Sequence, residues 1–121
     1  MELNYLLDTN IVLYYLGGKL KRPLPNGKFI VSFVTEIELL SYPGLTSNDE
    51  LTIRRFLEKL QIVGLNHEIK EKTISLRKTA RLKTPDALIA ATAMCFDCCL
   101  LTNDAHFQRL EALRCKTLPI R

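Results

Sequence analysis

Leu3-Asn4-Tyr5-Leu6-Leu7-Asp8-Thr9-Asn10-Ile11-Val12-Leu13-Tyr14-Tyr15-Leu16-Gly17-Gly18 is the stretch that decides the fold. Leu3 to Leu7 is a short apolar run of strand type that stops at Asp8, and a helical pattern from Asn10 to Leu16 then ends at the breaker pair Gly17-Gly18. The same alternation recurs downstream. Apolar runs at Phe29 to Val34, Ile62 to Leu65, Cys98 to Thr102 and Cys115 to Leu118 read as further strands. Between them lie helical patterns: one beginning at Thr35, one capped by Ser47-Asn48, one from Asn66 to Leu82, and one opening on Thr84 as N-cap with Pro85 at the first helical position. The body of this last helix, Ala87 to Phe96, is small and apolar nearly all round and predicts a helix buried against the sheet. Strands alternating with helices predict an α/β fold with a central parallel sheet of four or five strands. The one loop-like insertion is Gly17 to Lys28, with Pro23, Pro25 and an Asn26-Gly27 turn signal.

A chain of 121 residues has room for one domain, here 1–121, and 47% hydrophobic with 25% charged residues is the profile of a globular core. No stretch approaches a membrane span, and the N-terminus lacks the order of a secretory leader, so the expected location is cytoplasmic. There Cys95, Cys98, Cys99 and Cys115 stay reduced. Cys95 and Cys98 form a C-x-x-C, but only Cys115 and a distant His could complete a zinc site, and the plainer reading is buried small thiols.

In an open α/β sheet, ligands bind at the carboxyl ends of the parallel strands. The strand ends here carry Asp8-Thr9-Asn10, Thr35-Glu36-Ile37-Glu38 and Thr102-Asn103-Asp104, and Asp86 sits at the mouth of the buried helix. Converging carboxylates cannot all stay ionised without a compensating cation, and an all-oxygen ligand set favours Mg²⁺ or Mn²⁺. Each acid also has a structural reading: Asp8 and Asp104 as helix caps, Asp86 as a first-turn acid that suits the helix dipole.

Four motifs here resemble those of PIN-domain nucleases, in the family's order: Leu6-Leu7-Asp8-Thr9-Asn10-Ile11, Thr35-Glu36-Ile37-Glu38-Leu39-Leu40, Pro85-Asp86-Ala87-Leu88-Ile89-Ala90-Ala91-Thr92-Ala93 and Leu101-Thr102-Asn103-Asp104-Ala105-His106-Phe107. The nearest resemblance within the family is to VapC-like toxins. It implies a PIN-like three-layer α/β/α fold and a Mg²⁺- or Mn²⁺-dependent endoribonuclease leaving a 5′-phosphate and a 3′-hydroxyl. It also implies a homodimer held in check by a cognate antitoxin, whose Arg side chain would enter the acidic groove. Carried over position by position, the catalytic and metal-holding residues are Asp8, Glu38, Asp86 and Asp104. The family spacing Thr-x-x-Glu-Leu selects Glu38 over Glu36. Thr9, Asn10, Thr102 and Asn103 resemble the polar residues that accompany the acids. The sequence departs from the family at Arg81-Leu82-Lys83-Thr84, where a glycine is frequent.

The chain carries 17 bases and 13 acids, a net +4; setting the four candidate acids aside leaves a surround of +8, which suits RNA. Lys19, Lys21, Arg22 and Lys28 cluster in the insertion, and Lys70, Lys72, Arg77, Lys78, Arg81 and Lys83 in or just after the fourth helix, with Arg77 and Arg81 expected on one helical face. The alternative is a catalytically idle PIN-like module that binds RNA or a protein. A phosphohydrolase of the Asp-x-Asp type would want an Asp where Asn10 stands, and a receiver domain would want adjacent acids near its first strand end and a Lys after its last strands, which Thr102-Asn103-Asp104 does not supply.

Overall fold

A computed structural model describes residues 3–121; Met1 and Glu2, read above for the absence of a leader, lie outside the described residues. The chain opens with β1 (Asn4–Leu7) and α1 (Thr9–Leu16), then β2 (Lys28–Ser32), α2 (Phe33–Leu40) and α3 (Ser47–Leu57). It continues with β3 (Gln61–Val63), α4 (His67–Ala80), α5 (Thr84–Cys95), β4 (Cys99–Leu101), α6 (Ala105–Gln108) and β5 (Cys115–Lys116). All strand pairs are parallel, and the order across the sheet is β3-β2-β1-β4-β5. The chain builds outward from the central β1 in one direction, then returns to the other side of β1 to lay down β4. That reversal is a topological switch point between β1 and β4, where the crossover helices diverge and leave a crevice.

Successive residues of a strand face opposite sides of the sheet, and a parallel sheet is covered on both. Leu6, Ile30 and Leu100 are in register across β1, β2 and β4 and pack into one core with Ile69 and Leu76 of α4 and the alanines of α5. Their neighbours Tyr5, Leu7, Val31 and Leu101 pack into a second core with Ile11 and Val12 of α1 and Ile53 and Leu57 of α3. The result is the expected three-layer α/β/α architecture with five strands. As expected, α5 is buried: Ala87, Ile89, Ala90, Ala91, Thr92 and Ala93 are all shielded, and the small side chains allow α4 to lie close against it.

Several boundaries move for local reasons. β2 stops at Ser32 because the Ser32 hydroxyl accepts from the Val34 N–H and caps α2, which starts two residues before Thr35. α3 is capped by Thr46, in a reciprocal capping box with Asp49, rather than by Ser47-Asn48. Thr84 is the first residue of α5, with Lys83 in the cap position and Pro85 second. α4 ends at Ala80, and Arg81 takes a left-handed conformation (φ 55°). The last strand stops at Lys116, and the C-terminal residues turn to pair with the insertion through an antiparallel Leu20–Ile120 bridge. Gly27 (φ 153°) lies against β1, where a Cβ would stand 2.4 Å from the Leu3 carbonyl oxygen, so the Asn26-Gly27 turn needs its glycine. Cys98 is buried ahead of β4, while Cys95, Cys99 and Cys115 are half-buried, and burial pushes all four thiols up. Among the described residues no helix is long and apolar enough to cross a membrane.

Candidate active site

At the switch point β1 ends in Asp8 and β4 in Thr102. The Asp8 N–H donates to the Leu101 carbonyl (3.0 Å), so the carboxylate starts from backbone pinned between the two central strands. Asp8 is only 8% exposed. Its Oδ1 accepts from the Thr9 N–H at the start of α1 (2.8 Å), and its Oδ2 accepts from the fully buried Thr102 hydroxyl (2.6 Å). The Thr102 oxygen in turn accepts from the Asp104 N–H (3.1 Å). One hydroxyl, 94 residues from Asp8 in sequence, therefore ties two acids together. Asp104 caps α6 by accepting from the His106 N–H (2.9 Å), and its Oδ1 also stands 2.9 Å from His106 Nδ1.

Glu38 reaches the same place from α2. Its Oε1 accepts from the Thr9 hydroxyl (2.6 Å), which lies 3.1 Å from the hydroxyl of the fully buried Thr35. Asp86, in the first turn of α5, completes the ring. A cleft of about 250 Å³ is lined by Asp8, Glu38, Asp86 and Asp104, with Thr9 and Asn10 at its α1 wall and Tyr42 at its rim. Glu36 lines a different cleft beside Arg54 of α3, because residues two apart on a helix face away from each other.

The electrostatics are those of crowded acids. Burial pushes the Asp8 carboxyl above its ordinary value, the Thr102 and Thr9 hydrogen bonds pull it back, and the charges of Asp104 and Asp86 raise it again. Asp86 is raised first by burial, then by Asp104 and Glu38, against the lowering charges of His106 and Lys83. The donor chemistry, oxygen throughout with mutual repulsion, fits a hard divalent cation. The arrangement is not closed around one point: among the described residues no group of three or more His, Cys, Asp or Glu side chains stands ready to hold an ion.

The accompanying polar residues divide. Thr9 and Thr102 tie the acids, and Asn10 is exposed in the cleft wall. Asn103 is turned to other work, donating to the Leu118 carbonyl (2.9 Å) and accepting from its N–H (2.8 Å) to fasten the chain after β5. Thr35, His106 and Tyr42 were not singled out in the sequence; the Thr35 to Glu38 spacing of one helical turn was the available signal for Thr35. The basic residues separate as well. Arg77 and Arg81 do not share a helical face, since α4 ends between them and Arg77 Nε donates to the Leu82 carbonyl (3.4 Å). Lys21 and Arg22 line a cleft with Tyr15 and Arg121, past the far end of α1 from Asp8.

Ribonuclease VapC1 of Haemophilus influenzae (strain R2866) is 29% identical, over 91% of this chain and 94% of its own length. Among solved structures, VapBC-1 from nontypeable Haemophilus influenzae superposes with a TM-score of 0.76 at 26% identity, covering 95% of this chain and 98% of that one. VapBC2 from Rickettsia felis, bound to a DNA fragment from its promoter, superposes with a TM-score of 0.81 at 21% identity, covering 97% and 100%. The PIN domain family matches residues 5–113, a span that takes in all four cleft carboxylates and the two strands that meet at the switch point, and the chain belongs to that family.

Proposed function

We propose that the chain, as a single domain over residues 1–121, is a Mg²⁺- or Mn²⁺-dependent endoribonuclease and the toxin of a toxin–antitoxin pair. The observation that carries this reading is the gathering of Asp8, Glu38, Asp86 and Asp104 from four separate segments into one cleft at the sheet's switch point. Similarity to Ribonuclease VapC1 and to VapBC complexes supports the substrate and the antitoxin partner. The exposed Leu51 of α3 and Ile74 of α4 offer apolar surface to a homodimer, which light scattering would detect.

Asp8, Asp86 and Asp104 would hold the cation, with Glu38 completing the set or serving the water. When bound, the ion neutralises the phosphate, lowers the pKa of the attacking water and stabilises the leaving oxygen. The protein supplies the rest. Thr102 fixes Asp8 and Asp104 relative to one another, and Thr9 holds Glu38 by one oxygen, leaving the other to orient a water and accept its proton. Attack on phosphorus with rupture of the P–O3′ bond gives a 5′-phosphate and a 3′-hydroxyl.

The test is cleavage of a panel of structured RNAs with Mg²⁺, with Mn²⁺ and with EDTA. Cleavage lost on chelation and in Asp8→Asn is the expected result; cleavage that survives both refutes the proposal. A second reading is an idle module that binds RNA or a protein, against which the intact acidic set argues. RNA binding with no cleavage under any metal would establish it.

A further inference from the structure

Next to the acidic cleft lies a second groove of about 420 Å³, which shares Asp86 and Asp104 with it and is otherwise walled by Arg81, Leu82, Lys83, His106 and Arg109. The cations stand on this side only. Apart from its carboxylates the acidic cleft is lined by Thr9, Asn10, Leu13, Tyr42 and Ile89, which carry no charge. The basic wall is a constructed feature rather than a run of loose side chains. Arg109 Nη2 donates to the Ala80 carbonyl (2.7 Å) and Arg77 Nε to the Leu82 carbonyl (3.4 Å), so two guanidinium groups clamp the backbone on either side of Arg81. Between those clamps Arg81 keeps a left-handed backbone that glycine adopts without strain.

Arg81 and Lys83 are exposed, and among the described residues neither forms an ion pair, although two carboxylates line the same groove. Two adjoining clefts that share Asp86 and Asp104, one acidic and one with a basic wall, match a polyanion that sends one phosphate to the acids and sets a neighbouring phosphate on the bases.

We infer that this groove is a backbone-phosphate site for the RNA strand on one side of the scissile bond, with Arg81 and Lys83 as its contacts and Arg77 and Arg109 as the residues that position them. The inference rests on the ribonuclease reading and extends it by giving the cleft a polarity: the strand is gripped through its phosphates on the α4–α5 side. Contacts to phosphate carry no sequence information, so this site would set affinity and register but not the choice of base.

The probe is a fluorescein-labelled, unstructured RNA oligonucleotide, followed by anisotropy on the full chain carrying Asp8→Asn, in Mg²⁺ at a series of NaCl concentrations. Each phosphate contact to a single strand contributes about 0.7 to the slope of log affinity against log salt. Arg81→Gln with Lys83→Gln should therefore reduce that slope by about 1.4. Arg55→Gln on the exposed side of α3 with Lys59→Gln, exposed just past the end of that helix, removes the same charge and should change it far less. Arg81→Lys with Lys83→Arg should restore the slope. Equal losses from the two charge-removing pairs, or no loss from the first, overturn the inference.

A second measurement keeps the inference open to test if the Asp8→Asn chain binds too weakly to titrate. In the chain with Asp8 intact, the Arg81→Gln, Lys83→Gln pair should raise KM several-fold while kcat holds, because phosphate grip is shared by ground and transition states. A fall in kcat at constant KM counts against the site. The two readings fail separately. Cleavage that persists with an unaltered slope and KM removes the groove and leaves the nuclease, whereas a reduced slope in a chain that cuts no RNA leaves the groove and removes the nuclease.

Discussion

Replacing Thr102 by valine tests the architecture of the acidic cleft at its hub. The side chain is fully buried, its hydroxyl donates to Asp8 Oδ2 at 2.6 Å, and its oxygen accepts from the Asp104 N–H at 3.1 Å. Valine keeps the shape and removes both contacts. A hydrogen bond to a charged group contributes about 1.5–3 kcal/mol, and the backbone contact about 1 kcal/mol. The extra apolar methyl returns about 1 kcal/mol. The balance is about 2 kcal/mol of destabilisation at pH 7, or roughly 8 °C in Tm for a domain of 121 residues. Circular dichroism melts in EDTA would measure it, with Thr92→Val as the control. Thr92 is equally buried, but its hydroxyl donates to the Leu88 carbonyl one turn back in α5, so its loss costs far less. The cost at Thr102 should also depend on pH. The hydroxyl lowers the Asp8 pKa, so valine raises it further, and the penalty grows as pH rises through the folded-state value and shrinks toward the ordinary 3.8 and below. Equal costs at both threonines, or a Thr102 cost that is flat from pH 3.5 to 7.5 in this assay, would refute the argument.

Three further outcomes are expected from the same geometry. In EDTA, Asp8 and Asp86 have raised folded-state pKa values, so the stability they confer is full below 3.8 and is lost as pH rises through those values; Asp86→Asn should flatten that decline in a Tm-against-pH series, and Mg²⁺ or Mn²⁺ should reverse it in the unsubstituted protein but not in the variant. Gly27→Ala places a Cβ 2.4 Å from the Leu3 carbonyl oxygen and 2.8 Å from the Tyr5 ring at a φ of 153°, and should cost more than about 2 kcal/mol in urea denaturation. Arg81→Gly relieves a left-handed backbone (φ 55°) and should stabilise the fold by about 1 kcal/mol while weakening RNA binding, an opposition that combined melts and anisotropy would show.

The layers of the fold were legible because strand and helix periods alternate cleanly: a run such as Leu6-Leu7 can satisfy two cores at once only in a sheet covered on both faces. Element ends were harder to read because single hydroxyls decide them. Ser32 and Thr46 each take a backbone N–H that the apolar pattern does not encode, and so move the starts of α2 and α3. The four acids were nameable from their place at strand ends and from their motifs. The roles of their companions were not, since Asn103 and Thr102 are adjacent yet serve the C-terminal segment and the acidic centre respectively. The reading of Arg77 and Arg81 as one helical face failed for a similar reason: nothing in Thr79-Ala80-Arg81 announces a helix end, and the clamps that fix it come from Arg109 in a distant segment and from Arg77 itself.

Among the described residues six polar ones are buried: Asp8, Ser32, Thr35, Thr73, Thr92 and Thr102. Thr73 and Thr92 return their hydroxyls to carbonyls of their own helices and cost the fold little. The other four all stand at or just past the carboxyl ends of β1, β2 and β4, so the interior polarity beyond the helices is confined to one end of the sheet. Burying polar groups is favourable only when each finds a partner, and here the partners are one another, the first N–H groups of the adjoining helices or, for Thr35, the Thr9 hydroxyl. A helix start needs an acceptor and a carboxylate needs donors, so capping and the gathering of acids are one arrangement rather than competing explanations of the same residues. Charge is the quantity that this network leaves uncompensated. Asp8, Glu38 and Asp104 have their hydrogen bonds while Asp86 has no side-chain partner among the described residues, the carboxylates still repel one another, and a fold stabilised elsewhere by two apolar cores carries that repulsion.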